Sequence, residues 1–192
     1  MFGKRAFTAT HSTSEIRPTD KAAFSALYRS HVDRVYRYCL FRTGNVQDAQ
    51  DITSQVFMAA WEQAPTYSGK GSMDAWLIGI ARHKTADHFR RVRAMTPLES
   101  MSDLPDGGVA VAETIEMRLS AEQVMQQAQT LAPDRAEVFA LRFLAELSNG
   151  DIARVTGRSE TAVRMLVHRA LSDLRQRLAS LWEDEIEGER HG

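Results

Sequence analysis

The sequence predicts an all-α fold: two small helical domains joined by a flexible acidic linker, the second containing a helix-turn-helix. Three observations carry this. Apolar residues recur at three- and four-residue intervals through most of the chain, and no segment shows the alternation of a half-buried strand. Between 94 and 117 the helical pattern stops: Pro97, Pro105, Gly107 and Gly108 stand there with Glu99, Asp103, Asp106, Glu113, Glu116 and no basic residue. A span of that composition cannot bury enough surface to order itself. The domains are therefore read as 20–93 and 118–182, with a tail 1–19 expected to be disordered and an acidic C-terminal tail 183–192.

Composition limits the class. The chain has 192 residues, 43% hydrophobic and 26% charged, with a mean hydropathy of -0.35, as in globular proteins. No apolar run approaches the roughly 18 residues of a membrane span, and the first 19 residues lack a signal-peptide core, so the chain is expected in the cytoplasm without membrane insertion. A lone Cys39 forms neither an internal disulfide nor a cysteine-cluster metal site and is read as packing. The net charge of -1 hides a division into blocks. Both domains tilt basic, and Arg82, Lys84, Arg90, Arg91 and Arg93 face only Asp87 in one short stretch, whereas linker and tail are acidic.

The elements follow in order. Phe24, Leu27, Tyr28, His31, Val35, Tyr38 and Cys39 form one stripe of a long amphipathic helix, interrupted at Gly44-Asn45. A second helix resumes near Asp48, with Ile52, Val56, Ala59 and Ala60 on one face and Phe57 and Trp61 beside it, and stops near Pro65. After a loop from Pro65 to Ser72, Ser72 is placed to cap a third helix carrying Ala75, Trp76, Leu77, Ile80 and Ala81 and running into the basic stripe. Beyond the linker come a helix over roughly 118 to 130 and another opened by Pro133, with Val138, Leu141 and Phe143.

The stretch from Ser148 to Arg164 has the layout of a helix-turn-helix. Ser148 with Asp151 three residues on forms a capping box, and Ile152, Ala153 and Val155 give the short helix its buried face. Gly157 sits at the sharp turn, and Ser159 caps a longer helix whose inner face is Ala162, Val163, Leu166, Val167, Ala170 and Leu174. Its outer face carries Arg158, Arg164, His168, Arg169, Arg175 and Arg177. Such a helix can enter the DNA major groove, where Arg reads guanine and cations fix the register. An amphipathic helix pair with a solvated basic face would show the same spacing.

Three motifs stand in order along the chain. Asp48-Ala49-Gln50-Asp51-Ile52 through Phe57 to Trp61 is similar to D-A-E-D-L-x-Q-E-x-F-x-x-x-W. Ala75-Trp76-Leu77 through Ile80-Ala81-Arg82 to Arg90-Arg91 is similar to A-W-L-x-x-I-A-R-N-x-A-x-D-x-x-R-R. Leu147 to Arg175 is similar to L-S-x-x-E-I-A-x-x-x-G-x-S-x-x-T-V-K-S-R-L-x-R-A-x-x-x-L-R. Together they resemble, over residues 20 to 182, the extracytoplasmic-function (ECF) group of bacterial RNA polymerase sigma factors.

The resemblance implies roles. The helix around Asp48 to Trp61 would dock on the β′ subunit of core RNA polymerase through Asp48, Asp51, Gln55 and Phe57, with the β subunit a further partner. Arg82, His83, Lys84, Arg90 and Arg91 would engage single-stranded minus 10 DNA, His83 standing where the family usually has an Asn lining a flipped-base pocket. Arg158, Ser159, Arg164, Met165 and Arg169 would meet the duplex minus 35 element. The linker would thread the polymerase, or serve as a plain tether. An anti-sigma factor is expected. Met73, Asp74, Ser54, Gln55, His83, Met165 and Leu166 depart from the family pattern.

No glycine-rich phosphate loop, metal-spaced ligand set or nucleophile with a partnered base is present, so no catalytic residue, metal or cofactor is expected. Asp87, four residues from His83, is read as making an ordinary surface hydrogen bond. The competing readings are an autonomous helix-turn-helix regulator binding an operator as a dimer, and a degenerate sigma-like chain that occupies polymerase without initiating.

Overall fold

The computed structural model describes residues 20–67, 69, 71–95 and 115–191. The expected tail 1–19 and residues 96–114 of the expected linker 94–117 lie outside them, while 94–95 and 115–117, expected in the linker, are helical. Among the described residues there is no strand. The helices are α1 (Lys21–Thr43), α2 (Val46–Gln63), α3 (Met73–Met95), α4 (Ile115–Gln129), α5 (Pro133–Phe139), α6 (Asn149–Thr156) and α7 (Glu160–His191).

Their ends are set by local chemistry. The Asp20 side chain accepts the Ala22 N–H at 2.9 Å to open α1, and Gly44, at φ 65°, closes it by donating to the Leu40 carbonyl at 2.8 Å. Asn45 then caps α2 by accepting from Asp48 at 3.0 Å, so a two-residue turn suffices to fold α2 back on α1. Helix α2 starts two residues before the expected Asp48 and ends in a 3₁₀ turn at Ala64–Thr66 that contains Pro65. Ser72 caps α3 as expected, its hydroxyl accepting from Ala75 at 3.1 Å. Helix α7 continues through the acidic stretch to His191.

Helices α1, α2 and α3 enclose Val35, Tyr38, Cys39, Ile52, Val56, Leu77 and Ile78, and α4 to α7 enclose Val138, Leu141, Ile152, Val163 and Ala170. Cys39 is fully buried, and burial pushes its thiol up to about 12, which accords with a packing role. The hydroxyls of Thr53 and Thr85 are buried too and return to the carbonyls of Ala49 and Ala81. Tyr28, expected on the inner stripe of α1, is 43% exposed and meets the ring of Phe57 edge-on.

The second group contains one break in regularity. Residues Ala140–Leu144 form a π turn in which Ala145 donates to the Ala140 carbonyl at 2.9 Å. The wider turn shifts the register and carries Phe143, expected on the buried face, out to 40% exposure while Leu141 and Leu144 stay buried.

The two groups share one apolar cluster. Phe41 at the end of α1 packs on Phe139 of α5, ring centroids 5.9 Å apart. Each buried ring is worth roughly 1.5–3 kcal/mol. Helix α6 lies on α3, and the π turn lies on α1.

Candidate nucleic-acid interface

Three surfaces carry the residues singled out from the sequence. On α2, Asp51 is exposed, Gln55 is half-buried, and Asp48 is 40% exposed with one oxygen 3.4 Å from His88 Nε2 of α3. Phe57 is corrected: it is only 4% exposed and wedged between Phe24 and Tyr28, so it holds α2 on α1 and presents no docking side chain. Met58, 65% exposed, and Trp61 stand outward beside the acidic row. Met58 carried no signal in the sequence, and Trp61, read there as lying beside the buried face, is 41% exposed and packs on Phe24 with ring centroids 4.9 Å apart.

The second surface is α3 with the loop before it. Gln63, Trp76, Gly79, His83, Lys84 and Asp87 line a groove of about 520 Å³. Tyr67 packs against Trp76 with ring centroids 4.8 Å apart, and its hydroxyl donates to the Gly71 carbonyl at 3.3 Å. Trp76 is half-buried and so serves both core and groove. His83 is exposed and also borders a smaller hollow, about 280 Å³, with Tyr38, Arg42, Arg82 and Glu137. Asp87 pairs with Arg90, not with His83 as expected, and the exposed Arg91 donates to the Asp87 carbonyl. Asp74 accepts from His31 at 2.5 Å and lies 3.6 Å from Arg34, so α1 supplies a hydrogen-bond donor and a positive charge for this departure from the family pattern.

Arg82 stands apart from the rest of the cationic row. Its Nε donates to Glu137 at 2.6 Å and its terminal nitrogen to the Val155 carbonyl at 2.5 Å, both from the second helical group. Burial alone would make the guanidinium easier to deprotonate, but Glu137 outweighs it and the group stays charged. In this conformation Arg82 is occupied within the protein, whereas the sequence reading had it free to meet phosphate.

The third surface is the helix-turn-helix. Ser148 Oγ accepts the Asp151 N–H at 3.0 Å, while Asp151 Oδ2 accepts the Ser148 hydroxyl at 2.7 Å in place of the backbone donor of an ordinary capping box. Gly157 turns at φ 70° and donates to the Ala153 carbonyl, and Ser159 caps α7 by accepting from Ala162 at 3.2 Å. Val163, Ala170 and Leu174 are buried and Leu166 packs against the core. Outward stand Ser159, Arg164, Met165, His168 and Arg169, and among the described residues no ion pair holds these two arginines. Arg158 is exposed too but pairs with Asp134 at 2.8 Å.

The order of an acidic helix, a basic helix and then a helix-turn-helix with an exposed basic face is in line with comparisons to known proteins. A family model for Sigma-70 region 2 matches residues 27–95, and one for Sigma-70, region 4, matches residues 121–174. The chain belongs to the sigma-70 family. Within it, the ECF RNA polymerase sigma factor SigD of Mycobacterium tuberculosis is 33% identical over 157 residues, 76% of this chain and 72% of SigD, which places the chain in the ECF group. The ECF RNA polymerase sigma factor BldN of Streptomyces coelicolor is 35% identical over 155 residues, covering 79% of this chain and 59% of BldN. The sigma factor RpoE of Bartonella quintana, solved in complex with the anti-sigma factor NepR, shares the fold at a TM-score of 0.63 and 18% identity, over 81% of this chain and 96% of that one.

No helix among the described residues of this sigma factor is long and apolar enough to cross a membrane.

Proposed function

We propose that this ECF sigma factor directs bacterial core RNA polymerase to promoters, with residues 20–93 docking the polymerase and taking the minus 10 strand and residues 118–182 reading the minus 35 duplex. The observation that carries the reading is the open row Arg164, Met165 and Arg169 on α7, held in register by caps at Ser159 and Gly157. Arg158 and Ser159 open that helix, where a phosphate is favoured by free N–H groups. On α2, Asp48, Asp51 and Gln55 form the docking row, with Met58 and Trp61 extending it.

The α3 groove suits an unstacked base. Trp76, backed by Tyr67, gives it an aromatic wall, His83 and Lys84 give it donors, and Arg90 and Arg91 extend a cationic track for phosphate. Binding the unpaired strand would shift the duplex towards the melted state without chemical catalysis by this chain. Residues 96–114, between α3 and α4, act as the linker. We further infer a dedicated anti-sigma partner and action in the cytoplasm, where the polymerase works.

The test is a footprint with and without core polymerase. Protection of two paired upstream elements only when both proteins are present is the expected result; a symmetric footprint by the chain alone would establish an autonomous regulator instead.

A further inference from the structure

We propose, resting on the reading of α7 as the minus 35 helix, that Met165 recognises the C5-methyl group of a pyrimidine, thymine or 5-methylcytosine, in the major groove of that duplex. The direction of Met165 is fixed by its neighbours. Val163 and Ala170 are buried and Leu166 packs against the core, so the helix carries residue 165 to the far side with Thr161, Arg164, His168 and Arg169, all exposed. Thr161 and Arg169 lie four residues before and after Met165 and His168 three after, the spacings that make neighbours on a helix surface. Met165 is 50% exposed, and among the described side chains of α7 it is the one large apolar group left so open. A lone exposed methionine on an ordinary surface calls for no explanation. This one is ringed by hydrogen-bond donors, on the face that would enter the groove.

Methionine brings neither charge nor a hydrogen-bond donor, and its thioether sulfur is a weak acceptor. It offers nothing to a phosphate or to the N7 and O6 acceptors of guanine, and pressing it on them would strip water from polar atoms without replacing it. The C5 methyl of thymine is the one apolar group that an unmodified base pair shows in the major groove. 5-Methylcytosine carries the same group at the same ring position. The unbranched methionine chain adapts to such a target, while Arg164 and Arg169 bring donors for adjoining bases or phosphates. Leu166, which also departs from the family pattern, packs on the core and takes no part.

The test uses core polymerase carrying the intact protein, M165A, M165L or R164A. A promoter pool randomised over the minus 35 region is first selected with the intact holoenzyme. The selected duplex is then rebuilt with deoxyuridine at each thymine in turn, which removes only the methyl group, and with cytosine or 5-methylcytosine at the same positions; affinities are read by competition. At one thymine, deoxyuridine is expected to weaken the intact holoenzyme about three- to fivefold, the worth of one buried methyl group. M165A should bind the thymine duplex more weakly by a like factor and no longer tell thymine from uracil, while M165L keeps the preference. At that position 5-methylcytosine is expected to outbind cytosine by a similar factor; a gain confined to thymine over uracil would narrow the ligand to thymine. Equal deoxyuridine effects, or none, in the intact protein and M165A at every position would overturn the methyl reading. It would leave the helix-turn-helix reading standing if R164A still loses the selected element. If the intact holoenzyme selects no minus 35 element, the reading of α7 falls and the role of Met165 with it.

Discussion

Gly157 and Ser148 each do a job that no neighbour can take over. At φ 70° Gly157 has no obstacle to a side chain within 4 Å, so the cost of Gly157→Ala is conformational: about 1–2 kcal/mol, read as a lower urea midpoint with an unchanged slope. Ser148→Ala removes a cap worth about 1 kcal/mol and leaves Asp151 Oδ2 without that donor. The Asp151 carboxyl is pulled in two directions. Burial favours its neutral form, but hydrogen bonds from Ser148 and Ser72 and the charge of Arg154 outweigh burial and hold it below the ordinary 3.8. Hydrogen bonds from Arg37 and Arg34 likewise hold Glu146 below its ordinary 4.5. Depressed values in the folded state mean stabilisation that is complete above the ordinary values and lost as pH falls through the lowered ones. The contact between the halves is thus expected to hold steady from about pH 5 to 8 and to loosen below about pH 4, as energy transfer between them would register.

At the scale of single helices, the proposed function divides the recognition work between α7 and α2. Arg164→Ala is expected to cost about 1–3 kcal/mol of promoter affinity and to relax preference at one base position if the arginine reads a base. A uniform loss across sequences with a shallower salt slope would mark a phosphate contact instead. Asp51→Ala should weaken binding to core polymerase while leaving duplex DNA binding by the chain unchanged, a split that titration against each partner measures. The helices themselves were legible in the sequence because their signals are local: Ser72, Ser148 and Ser159 cap, Gly44 and Gly157 stop, and the apolar period lies between. The π turn was not legible. Its extra residue depends on how Leu141 and Leu144 seat in the core, and Phe143 was misassigned as a result. Phe57 fitted the docking motif yet is buried, because its ring fills the gap between Phe24 and Tyr28.

The whole molecule is less a pair of independent readers than the sequence suggested. Arg82 meets Glu137 and Val155, and Arg34 and Arg37 meet Glu146, across separations of 55, 73, 112 and 109 residues that leave no local pattern. The basic stripe was visible in the sequence, but not the fact that one of its members faces inward. The account rests finally on promoter-directed initiation, and transcription by purified core polymerase on a pooled promoter library, with start sites sequenced, tests it most directly. Adding this chain should produce new starts that share paired minus 35 and minus 10 motifs and that fade with Arg164→Ala. Tight binding to polymerase with no new start would contradict the account.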